Sequence, residues 1–308
     1  MKIAFVEPHL LVVGGIRRIV EISNYLHSAG HDVVIYTPNG TPCSWMPLLA
    51  PVLKLSNKYK GQMFDIVIFN LAEQYKQALA IPARKRVFWV LAAEAFYKNP
   101  ATPIKSLNPD LFFFMANSKF VVQYIRKHTI VPYEIPIFPG GINPQHFRLD
   151  RNIEKRYHCL YYGSERPWKG KAVIEAAMSR IPKVKFLKMQ GSGTSQEEIY
   201  KLYNQCRIYV AANLCEGFSM TQLEAMACGC VVVTTDDGGS RDYIEHNHNA
   251  VIVPRSPEGI ASGIEMVLGS ESLYKKLRAN GLATAAQSRF SWQNIGSAVE
   301  KHLQSLIR

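Results

Sequence analysis

Short apolar runs alternate with stretches of helical period along the chain. Residues 2–8, 32–37, 65–70, 86–91 and 111–116 are apolar runs of strand length. Between the first two, Ile16, Ile19, Val20, Ile22 and Leu26 recur at helical spacing, and Gly30 stops the segment. Ser118 is placed to cap a helix running to about Lys127, and residues 133–138 read as a short strand before Pro139-Gly140-Gly141. A second alternation begins after Asp150. It predicts strands at 157–162, 184–189, 207–212, 230–235 and 250–254, and helices at 171–180, 196–205 and 221–228. Ser240 reads as the cap of another helix. Ser256-Pro257-Glu258 supplies an N-cap, a proline at the first helical position and an acid near the positive end. Residues 292–308 form one more amphipathic helix with no strand after it. Strands alternating with helices imply parallel sheets built from βαβ units. The pattern runs twice, so the expectation is an α/β chain of two doubly wound domains, 1–148 and 149–291.

Composition narrows the class. With 308 residues, 47% of them hydrophobic, the chain can bury two ordinary cores. No apolar run reaches the roughly 18 residues of a membrane span. Glu7, Pro8 and His9 interrupt the first apolar stretch, which argues against a secretory signal and for a cytoplasmic protein. None of the six cysteines forms a C-x-x-C pair, so they read as small buried residues in a reducing compartment. The formal charge of +12 is spread over both halves, with a small cluster at Arg84-Lys85-Arg86. Such a balance favours anionic partners, among them the inner face of an acidic membrane touched peripherally. Motifs for nucleic acid are absent, and so is a convincing metal-ligand pattern; His246 and His248 flank Asn247 in an apparent turn.

In doubly wound folds, ligands sit beyond the carboxyl ends of the strands. Three segments at such positions carry candidate chemistry. Val13-Gly14-Gly15-Ile16 lets the backbone approach a ligand in front of a helix N-terminus. It is not the dinucleotide fingerprint, because G-x-G-x-x-G and the acid after the second strand are missing. In the second segment, 163–170, Arg166 and Lys169 can neutralise a diphosphate. In the third, Glu216 closes a strand, and Gly217, Phe218, Ser219, Met220 and Thr221 lead into a helix whose N–H groups suit a phosphate or hydroxyl. Glu224 follows one turn in, where it can accept hydrogen bonds from vicinal hydroxyls. Thr221-x-x-Glu224 also has the spacing of a capping box.

Glu216 and Glu224, with seven residues between them, resemble the E-x7-E motif of retaining glycosyltransferases of GT-B fold. The stretch 216–242 resembles the donor-binding signature of glycosyltransferase family 4. Gly14-Gly15, Pro139-Gly140-Gly141-Ile142-Asn143, Lys169-Gly170 and the closing Ser291-Trp292 helix are similar to further elements of that family. The resemblance implies two Rossmann-like domains facing a cleft, with helix 292–308 returning to the first. It implies a nucleotide-diphosphate sugar bound by the second domain and a glycan, lipid-linked or small-molecule acceptor bound by the first. Glu224 would hold the ribose and Glu216 the transferred sugar. Lys169 and an arginine would clamp the diphosphate without metal or cofactor, and the sugar would move with retention. Two departures stand out. Ser164 occupies the family's arginine position, with Arg166 or Lys171 as substitutes. Glu94 stands where many members carry an acceptor-side histidine, and His9 is a second acceptor-side candidate. The alternatives are a non-catalytic nucleotide-sugar-binding subunit, a nucleotide-sugar epimerase and a phosphorylase of the same fold.

Overall fold

A computed structural model describes residues 1–56, 62–93, 102–190 and 194–308. The chain divides into two compact units, Met1–Gly141 with Ser291–Arg308, and Ile142–Phe290.

The first unit comprises β1 (Lys2–Val6), α1 (Gly14–Ser28), β2 (Asp32–Thr37), β3 (Val52–Lys54), β4 (Phe64–Phe69), α2 (Tyr75–Ala80), β5 (Ala83–Val90), β6 (Phe113–Ala116) and α3 (Lys119–His128). The six strands form one sheet in the order β3-β2-β1-β4-β5-β6, with every pair parallel. The central strands read as continuous apolar runs because helices cover both faces of such a sheet. Ile3, Phe5, Ile66 and Val67 are fully buried. Phe112 and Phe114 join Phe69 and Phe88 in an aromatic cluster, with Phe69 and Phe88 stacked 4.6 Å apart. Ser118 caps α3 by accepting from the Val121 N–H.

The connectivity reverses between β1 and β4, and the carboxyl ends there carry Glu7 and Asn70. Asn70 Nδ2 donates to Glu7 Oε2 at 2.7 Å. Burial pushes the Glu7 carboxyl well above its usual range, partly opposed by this hydrogen bond. The run 133–138 is not a strand. Only a bridge from Ala116 to Ile137 forms, because Pro136 has no N–H with which to extend a ladder. The basic triad at 84–86 lies in β5. Arg84 pairs with Asp65, Lys85 lies over the Phe113 ring, and Arg86 donates to the carbonyls of Ala78, Leu79 and Ile81 that end α2.

The second unit comprises β7 (Tyr157–Tyr162), α4 (Lys171–Met178), β8 (Phe186–Met189), α5 (Gln196–Asn204), β9 (Cys206–Ala211), α6 (Met220–Ala227), β10 (Val231–Thr234), β11 (Ala250–Ile252), α7 (Pro257–Leu268) and α8 (Glu271–Ala285). Its five strands are parallel, in the order β11-β10-β9-β7-β8. Ser240 does not cap a helix as its sequence suggests. Residues Gly239–Asp242 make a single 3-10 turn, and the Ser240 hydroxyl donates to Asp237 instead. The remaining helix, α9 (Trp292–Ile307), belongs to the first unit and packs along α1. There Glu300 accepts from the Tyr25 hydroxyl at 3.3 Å and lies 2.9 Å from His31 Nε2.

The division falls at Gly141–Ile142 and at Phe290–Ser291, rather than at 148–149. The cause is local. The Ile142 N–H donates to the Phe290 carbonyl, tying the two ends of the second unit together. Phe147 packs against Tyr203, and the Asp150 N–H donates to Asn204 Oδ1.

Candidate functional site

Strands β7, β9 and β10 are neighbours, and their carboxyl ends bring together three segments far apart in sequence. The chain leaves β7 toward β8 on one side and returns as β9 on the other. The β7–β9 boundary is therefore a topological switch point, the position where open α/β sheets take ligands.

The β7 segment ends in a 3-10 turn, Pro167–Lys169, closed by Gly170 in the left-handed region at φ 73°. A Cβ at Gly170 would overlap the Ala212 carbonyl beyond β9, so glycine is required on two grounds. The two loops are laced together. The Leu214 N–H donates to the Trp168 carbonyl at 2.7 Å, and Arg255 donates to the carbonyls of both Ala212 and Pro167. This lacing sets Lys169 against Glu216, and Lys169 Nζ forms an ion pair with Glu216 Oε1. The side chains are 20% and 13% exposed, largely desolvated yet open enough to meet a ligand. The Lys169 ammonium also lies 5.9 Å from the Tyr162 ring centroid.

The main chain of Glu216 is held from β10. Its N–H donates to the Asp237 carbonyl at 2.9 Å. Gly239 presses on the carbonyls of Glu216 and Gly217, where a Cβ would clash. The Asp237 carboxylate accepts from Gln222 Nε2, the Ser240 N–H and the Ser240 hydroxyl. Burial first, and then the negative Glu216, raise its pKa to about 6.

Helix α6 begins at Met220, with Ser219 at the N-cap making no side-chain cap. Thr221 therefore lies inside the first turn, and the Thr221–Glu224 capping box suggested by spacing does not form. The first-turn N–H groups of α6, given no side-chain cap by Ser219, suit an anion or hydroxyl. The Ser219 carbonyl accepts from the Tyr243 hydroxyl at 2.5 Å, and Phe218 packs on the Tyr243 and Phe290 rings. Glu224 is 3% exposed, and the Tyr203 hydroxyl stands 3.5 Å from its Oε2.

The structure thus gathers Lys169, Glu216, Gly217, Phe218, Ser219, Met220, Thr221 and Glu224 in one unit. Arg166 is exposed, with its guanidinium 5.9 Å from the Trp168 ring centroid. Lys171 is held by Glu165 at 2.5 Å. Gly14 and Gly15 open α1 in the first unit, where exposed His9 accepts from the Leu11 N–H. Glu94 lies outside the described residues. His246 Nδ1 accepts from the Ile252 N–H, which gives that histidine a turn-closing role. Sequence reasoning missed Asp237, Gln222 and Ser240. For Asp237 and Ser240 the signal was the polar run DDGGS shortly after the strand VVVT; Gln222, within α6, carried none.

Residues 184–284 match the family profile of the glycosyl transferases group 1. An uncharacterized glycosyltransferase of Methanocaldococcus jannaschii is 32% identical over 100 residues, which is 32% of this chain and 25% of that protein. The match therefore spans only about a quarter of that relative's length. The sucrose-phosphate synthase of Thermosynechococcus elongatus superposes with a TM-score of 0.82 at 15% identity, covering 99% of this chain and 98% of that one. Anabaena HepE, solved in complex with UDP-glucose, gives 0.80 at 15% identity, covering 99% and 100%. At these identities the superpositions speak to fold. Residues 184–284, within the second unit, are thus similar to the glycosyl transferases group 1, and the chain has the fold of the GT-B glycosyltransferases.

Proposed function

We propose that the protein is a retaining glycosyltransferase that moves a hexose from a nucleoside-diphosphate sugar to a hydroxyl of a glycan, lipid-linked or small-molecule acceptor, without a metal ion. The observation that carries this reading is the Lys169–Glu216 pair at the switch point, with the N-terminus of α6 and the Glu224 carboxylate on the same segment. Donor binding exchanges the internal ion pair for two ligand contacts. Lys169 turns to the diphosphate and Glu216 to the sugar hydroxyls, while the α6 N–H groups add donors and Glu224 accepts from the ribose. The bond from the anomeric carbon to the diphosphate oxygen breaks. The acceptor oxygen bonds to the same face, and its proton passes to the departing diphosphate. Lys169 stabilises the charge that develops on the leaving group, where a preorganised cation contributes most. Arg166, freed from Trp168, is the second cation within chain reach. Gly14 and Gly15 remain proposed donor-binding residues, and His9 and Glu94 the proposed acceptor-side residues.

UDP-glucose is the first donor to try, since HepE was solved with it. Incubation with radiolabelled UDP-, GDP- and dTDP-hexoses and crude acceptor fractions should move label into an acceptor. Binding with neither transfer nor slow donor hydrolysis would instead favour a non-catalytic nucleotide-sugar-binding subunit. Ser164 at the expected arginine position supports that second reading. No helix among the described residues is long and apolar enough to cross a membrane. Peripheral contact, proposed from the charge of +12, predicts salt-sensitive flotation with anionic vesicles, and its absence would discard that contact.

A further inference from the structure

Asp237 is 1% exposed, and nothing in the proposed transfer uses it. It stands just beyond β10 and reaches two elements. Its Oδ2 accepts from Gln222 Nε2 of α6 at 2.9 Å, and its Oδ1 accepts from the Ser240 N–H at 2.9 Å and the Ser240 hydroxyl at 2.7 Å. Its own carbonyl accepts from the Glu216 N–H. One residue thus links the start of α6, the 239–242 turn and the backbone of Glu216.

This arrangement is costly for folding. A carboxylate is buried beside another carboxylate. Gln222 is fully buried, and its Oε1 has no hydrogen-bond partner among the described residues, because the amide presents its NH₂ to Asp237. An asparagine at 237 would remove the buried charge and, with it, the charge assistance of the bonds from Gln222 and Ser240. Orphaned polar atoms and perturbed acids of this kind gather at functional sites.

We propose that Asp237 is a positioning residue for Glu216: its carboxylate clamps α6 and the 239–242 turn together, and so holds Glu216 against Lys169 for the incoming donor. The inference rests on the donor-binding reading and adds a residue that the reading itself does not require. The ionisable groups around Asp237 are Glu216 with its partner Lys169, the Cys215 thiol, the Tyr243 phenol, and Arg241. Arg241 is forked onto Asp236 at 2.7 and 2.5 Å. The clamp forms as Asp237 ionises, as pH rises through about 6.

The test measures UDP-glucose affinity from pH 5 to 8, with thermal midpoints, for wild type, Asp237→Asn and Ser240→Ala. Wild-type affinity should weaken as pH falls through about 6. Asp237→Asn should bind about tenfold more weakly at pH 8, the scale of one charge-assisted hydrogen bond. Its pH profile should be flat and its melting midpoint equal to or above wild type. Ser240→Ala, which removes the hydroxyl's bond to Asp237, should shift affinity in the same direction by less. It keeps the test readable if Asp237→Asn does not fold, and unchanged affinity in Ser240→Ala would then overturn the proposal. A folded Asp237→Asn with wild-type affinity and pH profile overturns it. So does a lowered midpoint with the pH profile retained, which would make Asp237 merely structural. If wild type binds no nucleotide sugar at any pH, the donor reading has failed and takes this inference with it.

Discussion

Replacing Lys169 with methionine removes the charge and keeps most of the unbranched side chain near Tyr162. Breaking a fully buried ion pair costs about 3–5 kcal/mol, and breaking an exposed one about 0–1 kcal/mol. The pair here, at 20% and 13% exposure, lies toward the buried end. A loss of about 2–4 kcal/mol at pH 8 follows. The cost should depend on pH. Without Lys169, the Glu216 carboxylate loses its paired cation, and its uncompensated charge pushes Asp237, already raised to about 6 by burial and by Glu216, further up. A raised folded-state pKa favours the native state at low pH and loses that contribution as pH rises. Lys169→Met should therefore be closest to wild type near pH 5 and furthest from it at pH 8. Urea unfolding at both values measures the difference. Titration of UDP-glucose into the same protein should show affinity reduced roughly ten- to hundredfold, from the lost charge-assisted contacts. A variant as stable as wild type at pH 8, with unchanged affinity, would refute both the desolvated pair and its role as a diphosphate clamp.

Three further substitutions separate the parts of the site. Glu224→Gln should weaken UDP binding roughly tenfold by loss of carboxylate acceptors for the ribose, and leave inorganic diphosphate binding intact, by calorimetry of both ligands. Gly170→Ala should destabilise by about 3 kcal/mol or more, since a left-handed alanine is strained and its Cβ meets backbone; a lowered urea midpoint with unchanged slope checks it. Glu7→Gln should gain stability relative to wild type as pH rises from 5 to 8. The raised carboxyl of Glu7 contributes most below its unfolded value and loses that contribution as pH climbs through the folded one, whereas glutamine does not titrate.

What the sequence made legible follows from how locally each feature is encoded. Residues 157–162 form a strand over the expected span, and Ser118 and Ser256 cap helices, because apolar runs and N-caps are written in consecutive residues. Strand β3 escaped notice because Val52–Lys54 is three residues at a sheet edge, half-buried to exposed, with too few positions to show alternation. Helix α2, six residues long, completes fewer than two turns, too few for a helical period to stand out. At 133–138 the apolar pattern was real but the ladder failed at Pro136. In the site, Lys169 and Glu216 were each visible as residues, while their pairing depends on β7 and β9 lying side by side. Ser240 looked like a cap and is a partner of Asp237. Whether a serine caps a helix or braces an acid is decided by what the fold puts opposite it, and Asp237 became visible only through partners on α6 and β9's exit loop.

The most direct test of the account is calorimetric titration of the wild-type chain with UDP-, GDP- and dTDP-hexoses, with Lys169→Met and Glu224→Gln beside it. Saturable one-to-one binding of at least one nucleotide sugar, weakened in both variants, is the expected result. No binding of any of the donors by folded wild-type protein, or binding that both variants retain in full, would contradict a donor site built on Lys169, Glu216 and Glu224.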